Sequence, residues 1–549
     1  MNYEYIAKLL FPNIKHDISF YEEKYSYRKE KVVTRFAPSP TGFVHIGSLF
    51  TSFINRKYAS DNNGVCLLRI EDTDQKRLIP GSVTNIINDL RDFDITFDEG
   101  MISEEEEKGL YVPYLQSKRL DIYLAYAYFL VKNNLAYPCF CTEEELSNIR
   151  SEQMEKKDRI GYYGSYAKCR DLSLEDIKEN ISKGKKFVIR LKSNGNFNNR
   201  IKFKDLVKGE VEFPENDLDI VLIKSDGYPT YHFAHLVDDH LMRVTHVIRG
   251  DEWLSSFPIH YQLFQIFNFK LPKYAHISPL MIKDGETTRK ISKRRDVFAK
   301  VSYYYEEGIC YEAVKLYLMT IANTNFEGYI SSNPDNGIDS FKFTFNKMSS
   351  SGSIFDMDKL LNISKNYISF LSAEDLYDRL LNYVKVFDKD FYSLINKYRD
   401  YTINVLNIER GVKKPRKDYS KYSDIRNNIW YMYDELFSYN DIIIKDFYSK
   451  DILLSYINNY YDDFDDINLW YDNIKQLCEE FGFAREVKDY KNSPGDYKGH
   501  VGDVCELIRV SLTASLNTPD LYQIMKVMGK DRVLKRIEGF CKYMDNSTV

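Results

Sequence analysis

The sequence predicts an α/β protein built on a doubly wound parallel sheet, interrupted by an inserted segment and followed by a mostly α-helical half. Three patterns carry that expectation. Residues 32–36 form a hydrophobic run that Pro38, Pro40 and Gly42 break, and beyond it Leu49, Phe50, Phe53, Ile54 and Tyr58 recur at helical spacing. Strand-like and helix-like segments go on alternating through residues 30–125. From residue 305 onward the apolar positions keep mainly helical spacing.

Taken in order, residues 1–29 read as an N-terminal extension. It is acidic as well as basic and lacks an apolar core, so neither a secretory signal nor a transit peptide is expected. Next come the strand at 32–36, a tight turn, and a helix opened by His45-Ile46-Gly47. The free N–H groups of such a helix point back over the turn, which suits a phosphate. Gly47 lets a nucleotide approach the backbone, and His45 can hydrogen-bond a phosphate oxygen without a full charge at pH 7. By itself this motif is better explained as a capped helix with a core histidine. Residues 66–70 form an apolar strand ending in Glu71-Asp72-Thr73-Asp74. Polar residues just past a strand's C-terminal end are where doubly wound sheets bind ligands, although an acidic loop facing water reads the same way.

Residues 126–215 break the alternation and read as an inserted domain. Cys139 and Cys141 flank Phe140 and would place both thiols on one face of an extended chain. Thr142 and the glutamates after it look like a helix cap, and Cys169 follows beyond several tyrosines. A CxC…C set suits a structural zinc ion, with three ordinary buried thiols as the alternative and the fourth ligand open. Strands at 217–224, 244–249 and 275–282 are expected to complete the sheet within residues 216–304. The segment 226–240 gathers aromatic, imidazole and carboxylate groups, and Arg249 ends the strand after it. The turn Asp284-Gly285 leads to Arg289-Lys290-Ile291-Ser292-Lys293-Arg294-Arg295. Mobile lysines of that kind suit phosphoryl or nucleotidyl transfer, where negative charge builds on phosphorus oxygens. The plainer reading is a solvated basic run.

The last part divides into residues 305–385 and 386–549. Ser372 opens a helix with a capping-box-like pattern, and the polar stretch 323–353 reads as linker or loop. Lys413, Lys414, Arg416 and Lys417 surround Pro415, which implies a loop. With Tyr419 and Tyr422 just beyond, the cluster suits phosphate contact with a base stacked on an aromatic ring, and equally a solvated linker.

Together the string Arg35-Phe36-Ala37-Pro38-Ser39-Pro40-Thr41-Gly42, His45-Ile46-Gly47 and the loop around Lys290 and Lys293 resemble the HIGH and KMSKS signatures of class I aminoacyl-tRNA synthetases. The longer first string is similar to that of bacterial-type glutamyl-tRNA synthetases. Glu71-Asp72-Thr73-Asp74, the 226–240 segment and residues 244–253 fall in the family's order. The likeness is strong over residues 30–300 and weaker beyond. Ser48 stands where a second histidine is common, and His235 where the family often has asparagine.

The resemblance implies a Rossmann-type catalytic domain in two halves, 30–125 and 216–304, around an acceptor-binding insertion. It also implies a stem-contact domain at 305–385 and a helical anticodon-binding domain at 386–549. The reaction implied is activation of L-glutamate by ATP with Mg2+, then transfer to the terminal adenosine of tRNA-Glu, with tRNA-Gln left open. By the same resemblance His45, Gly47, Ser48, Lys290, Ser292 and Lys293 would bind ATP, with His45, Lys290 and Lys293 catalytic. Arg35, Ser39, Glu71, Tyr231, His235 and Arg249 would bind glutamate. Lys413, Lys414, Arg416 and Lys417 would meet tRNA. Some members carry zinc in the insertion, here on Cys139, Cys141 and Cys169, and Asp171 stands where a histidine ligand can occur.

Composition sets bounds. Of 549 residues 44% are hydrophobic and 29% charged, ordinary for a multidomain globular chain. No apolar stretch is long enough for a membrane span. Eight scattered cysteines imply a reducing compartment, so the cytoplasm is expected; a monomer is expected as well. The net charge of −5 does not exclude RNA binding, because local charge density decides phosphate contact. The rival reading is a tRNA-binding synthetase paralogue without aminoacylation activity, which would be expected to lose His45 or Lys293. Both are present.

Overall fold

The computed structural model describes residues 2–25, 27–333, 336–439 and 442–547. The chain divides into two compact units, one of residues 1–303 with 315–356 and one of 304–314 with 357–549. The first unit begins with helices α1 (Tyr3–Leu10) and α2 (Ile18–Lys24), capped by Asn2 and Asp17, whose side chains accept the N–H of Tyr5 and Phe20. There follow β1 (Val33–Phe36), α3 (Ile46–Asp61), β2 (Val65–Leu68), α4 (Ser82–Arg91), β3 (Glu99–Met101) and β4 (Glu107–Lys108). β1, β2 and β3 pair in parallel, and β4 closes the edge antiparallel to β3. All four residues of β1 are buried, as a parallel strand covered on both faces requires.

The chain continues with α5 (Leu120–Lys132), β5 (Ala136–Cys139), α6 (Glu143–Lys156), α7 (Leu174–Ser182), β6 (Val188–Leu191), β7 (Arg200–Asp205) and β8 (Gly209–Pro214). Both α6 and α7 start with capping boxes, on Thr142 with Glu145 and on Ser173 with Asp176. The short strand β9 (Val221–Ile223) pairs antiparallel with β6, which also pairs with β5. The expectation that 217–224 joins the parallel sheet is therefore corrected. An apolar run signals a strand, but its partner is chosen by the fold.

The chain continues through α8 (Tyr231–Leu241), β10 (His246–Gly250), α9 (Phe257–Ile266), β11 (Lys273–Ile277), β12 (Leu280–Asp284) and β13 (Thr287–Lys290). β10 and β11 are parallel. β10 runs beside β1, where the Thr245 N–H donates to the Val33 carbonyl at 3.0 Å and the Val33 N–H to Thr245 Oγ1 at 2.7 Å. The lateral order is thus β11, β10, β1, β2, β3. The single strand expected at 275–282 is two, because Ser278 and Pro279 interrupt it and β12 turns away to pair with β13. The stretch 323–353 is not a bare linker. It holds the helix Phe326–Ser332, and Phe345 packs on Tyr58 of α3 with ring centres 4.7 Å apart.

Among the described residues, the regular elements of the second unit are all helical. Ser372 caps the helix Ala373–Phe387 by accepting the Asp375 N–H, as its pattern implied. Leu376, Leu380 and Val384 of that helix share one apolar core with Leu507, Ile508, Ile537 and Phe540. Tyr419 and Tyr422 belong to that core too, each 9% exposed, so neither is available to stack on a base. Arg410, which by sequence opens the basic run 410–417, is tied down instead: its guanidinium donates to the carbonyls of Ile368 (2.7 Å), Leu371 (2.8 Å) and Leu406 (2.9 Å). No helix among the described residues is long and apolar enough to cross a membrane.

Candidate active site

The C-terminal ends of β1 and β10 open into a cleft of about 1270 Å³. Arg35 and Ser39 line it from the β1 side, His45, Gly47 and Ser48 from the start of α3, and Glu71 from beyond β2. Tyr231, Arg249 and Trp253 form another wall, and Lys290 and Lys293 reach it from the loop after β13. One cavity thus gathers most of the side chains marked by sequence. Ser292 is not among its lining residues: its Oγ accepts the Arg294 N–H at 3.3 Å inside the loop. Nor is His235, which is fully buried behind the wall.

His45 is the N-cap of α3, and its Nδ1 accepts the Gly47 N–H at 2.9 Å. That bond leaves the ring proton on Nε2. Burial first, then the neighbouring Lys293 and Lys290, hold the imidazole down at about 4, so it is neutral at pH 7. A Cβ on residue 47 would meet His45 Nδ1 at 3.2 Å, so the glycine serves the cap as well as any ligand. Across the cleft mouth, Lys293 Nζ donates to the Phe43 carbonyl at 2.9 Å and lies 4.8 Å from the centre of the Phe43 ring. Its pKa is lowered by burial. Lys290 sits 3.5 Å from Glu252. Asp296 shapes this loop, accepting two bonds from Arg289, each at 2.7 Å, and the Ser292 N–H at 2.7 Å.

The opposite end of the cleft is built from buried charge. Arg35 Nε donates to Asp239 Oδ2 at 3.3 Å, and Arg69, wholly buried, bonds Asp239 at 2.6 Å and Glu71 at 3.1 Å. Burial pushes the Glu71 carboxyl above its ordinary range despite Arg69 and Arg35. Arg249, 5% exposed, donates from Nε to His276 at 3.0 Å and from NH1 to the Tyr231 hydroxyl at 3.1 Å. Its NH2 reaches the Trp253 carbonyl and His260 Nδ1, both at 3.3 Å. A guanidinium has five N–H groups, so one, on NH1, is left for a ligand. The guanidinium is therefore not free for a two-pronged grip. His235 faces Arg35 at 3.4 Å and Asp239 at 3.1 Å, and burial, reinforced by Arg249 and Arg35, holds it neutral. Sequence reasoning missed His260 and His276, and gave no role to Asp239 and Trp253 although they fall in the segments 226–240 and 244–253 that it marked. The available signal was an imidazole inside the otherwise apolar runs at 257–266 and 273–277.

In the insertion, the thiols of Cys139, Cys141 and Cys169 all lie within 4.8 Å of one another, Cys141 and Cys169 at 3.5 Å. The Tyr162 hydroxyl stands 3.4 Å from Cys139 and 3.2 Å from Cys141, whereas Asp171 points to solvent, 3.1 Å from Lys192. Three thiols gathered this closely suit a zinc ion, and the Tyr162 hydroxyl is the oxygen that stands beside them. In the second unit Lys413, Lys414 and Lys417 are exposed on a loop, as Pro415 implied. Arg416 is held instead by Asp418, at 2.8 and 2.9 Å.

Two family models match the chain: the catalytic domain of class I tRNA synthetases (E and Q) over residues 31–362, and an anticodon binding domain over 376–541. A glutamate–tRNA ligase of Clostridium perfringens is 45% identical over 549 residues, 98% of this chain and all of that protein. Another, from Acetivibrio thermocellus, is 44% identical over 546 residues with the same coverage. A solved glutamate tRNA ligase of Elizabethkingia meningosepticum, in complex with its amino acid, superposes with a TM-score of 0.74. It shares 27% identity and covers 93% of this chain and 99% of that one.

Proposed function

Because the chain belongs to the class I tRNA synthetases for glutamate and glutamine, we propose that it is a glutamate–tRNA ligase, a cytoplasmic monomer that joins L-glutamate to tRNA-Glu at the expense of ATP. The observation that supports this most is the meeting, in one cleft, of the helix start at His45, the lysine loop, and a cationic pocket built on Arg249, Tyr231 and Arg35.

The chemistry needs positioning and charge stabilisation, with no covalent nucleophile on the protein. An oxygen of glutamate's α-carboxylate attacks the α-phosphorus of ATP, and the bond to pyrophosphate breaks. A ribose hydroxyl of the terminal adenosine then attacks the activated carbonyl and AMP leaves. His45 and the N–H groups opening α3 would hold the nucleotide phosphates. Lys293 and Lys290 would offset charge on the phosphorus oxygens, with Ser48 beside them and Ser292 shaping the loop. Lys293 rests on the Phe43 carbonyl with one of its three N–H groups, which leaves two for phosphate oxygens. Mg2+ would accompany ATP and screen its phosphates. Arg249, Tyr231, Arg35, Ser39 and Glu71 would hold glutamate, with His235 packed behind them. Cys139, Cys141, Cys169 and Tyr162 would hold a zinc ion that secures the insertion and takes no part in the reaction. Lys413, Lys414 and Lys417 would contact the tRNA backbone. Glutamate-dependent exchange of labelled pyrophosphate into ATP, measured with tRNA-Glu present, tests the first step. Exchange is expected, and its absence would reject the reading.

A further inference from the structure

We infer that Asp205 and His276, neither of which lines the cleft, are positioning residues that fix the Arg249 guanidinium and thereby set the preference for glutamate over glutamine. This rests on Arg249 facing the glutamate side chain.

The register of β10 against β11 places His276 directly beside Arg249. Arg249 Nε donates to His276 Nε2 at 3.0 Å, so that nitrogen carries no proton and the ring proton belongs on Nδ1. Nδ1 lies 2.7 Å from Asp205 Oδ2. Asp205 is 1% exposed and His276 fully buried, so nothing in solvent competes for these bonds. The carboxylate also accepts the main-chain N–H of His276 at 3.2 Å, and those of Val207 and Lys208 at 2.9 Å each. It ends β7, so the anchor of this relay is the tip of the inserted hairpin. From the same turn Lys208 Nζ bonds Asp251 at 2.8 Å and Ser278 Oγ at 2.6 Å. The hairpin therefore grips the chain twice, at Arg249 near the end of β10 through His276 and at Asp251 just past the strand directly.

What the relay fixes is the plane of the guanidinium. Tyr231, Trp253 and His260 restrain NH1 and NH2 at 3.1–3.3 Å. The bond at Nε sets the rotation that leaves one NH1 hydrogen for the ligand. With Asp205 neutral, the His276 proton is free to move to Nε2, where it would point at the Arg249 Nε–H and push the fork aside.

The test is pyrophosphate exchange with tRNA-Glu present, on the full chain, with glutamate, glutamine and ATP each varied for wild type, Asp205→Asn, His276→Leu and His276→Gln. Asp205→Asn and His276→Leu should each raise the KM for glutamate by about tenfold or more and shrink the glutamate-over-glutamine ratio to match, leaving the KM for ATP unchanged. His276→Gln, whose amide oxygen can still accept from Nε, should recover part of the loss. Unchanged glutamate KM and ratio in both damaging variants would overturn the inference. So would parallel loss of ATP and glutamate binding, or a lowered melting temperature with the ratio intact, because a merely structural role moves those instead. Failure of the functional reading looks different: the wild-type chain itself would show no glutamate-dependent exchange.

Discussion

Replacing Arg249 by alanine removes a buried cation lining the cleft, whose one remaining N–H is proposed to meet the substrate side chain. Of its five donors four are spent on His276, Tyr231, Trp253 and His260. A carboxylate therefore gains one charge-assisted hydrogen bond and an adjacent positive charge. A hydrogen bond to a charged group contributes about 1.5–3 kcal/mol, and each ~1.4 kcal/mol is tenfold, so kcat/KM for glutamate should fall by roughly ten- to a hundredfold. Glutamine presents a neutral amide to the same N–H and should lose clearly less. Exchange kinetics with both amino acids give the two ratios on one preparation. Arg249→Ala also strips partners from the His276, His260 and Tyr231 side chains, so a lower melting temperature is expected with it. Equal losses for glutamate and glutamine would refute the reasoning, since Arg249 would then hold the pocket together without reading the side-chain charge.

Lys293→Ala should slow adenylate formation by a factor corresponding to about 2–3 kcal/mol, the scale for losing one charge-stabilising donor; unchanged exchange rates with tRNA present would take this lysine out of the reaction. Atomic absorption on protein purified without chelator should find close to one zinc per chain, absent from a Cys139→Ser/Cys141→Ser variant, and metal-free protein with full activity would leave three buried thiols. Neutralising Lys413, Lys414 and Lys417, and sparing the Asp418-bound Arg416, should weaken tRNA binding and reduce the slope of log affinity against log salt by about two to three; an unchanged slope would make the loop a solvated linker.

Much of the first unit was legible because its signals are local. The run at 32–36, the breakers after it and the apolar spacing from Leu49 gave β1 and α3, and His45 caps that helix as its position implied. Capping chemistry at Thr142 and Ser372 was equally local. What failed depended on partners far away in the chain. Residues 217–224 contain a strand, but its pairing with β6 rather than the parallel sheet is a tertiary choice. Arg410 reads as part of a basic cluster until the carbonyls at Ile368 and Leu371 appear beside it, and Tyr419 and Tyr422 read as stacking platforms until the helical core closes over them. In the cleft, the lysine loop and Arg249 carried motif signals. The groups that orient Arg249 did not, because Asp205 and His276 are 71 residues apart and meet only through the hairpin's return to β11.

The proposed reaction of this cleft is the charging of tRNA with glutamate. The most direct measurement is the formation of labelled glutamyl-tRNA from purified tRNA-Glu, ATP, Mg2+ and L-glutamate, with tRNA-Gln in a parallel arm. ATP-dependent, alkali-labile label is expected on the tRNA-Glu 3′ end, formed more slowly by the Lys293→Ala and Arg249→Ala variants. Tight tRNA-Glu binding with no label transferred by the wild-type chain would contradict it, and would make the protein a tRNA-binding relative of the synthetases without their activity.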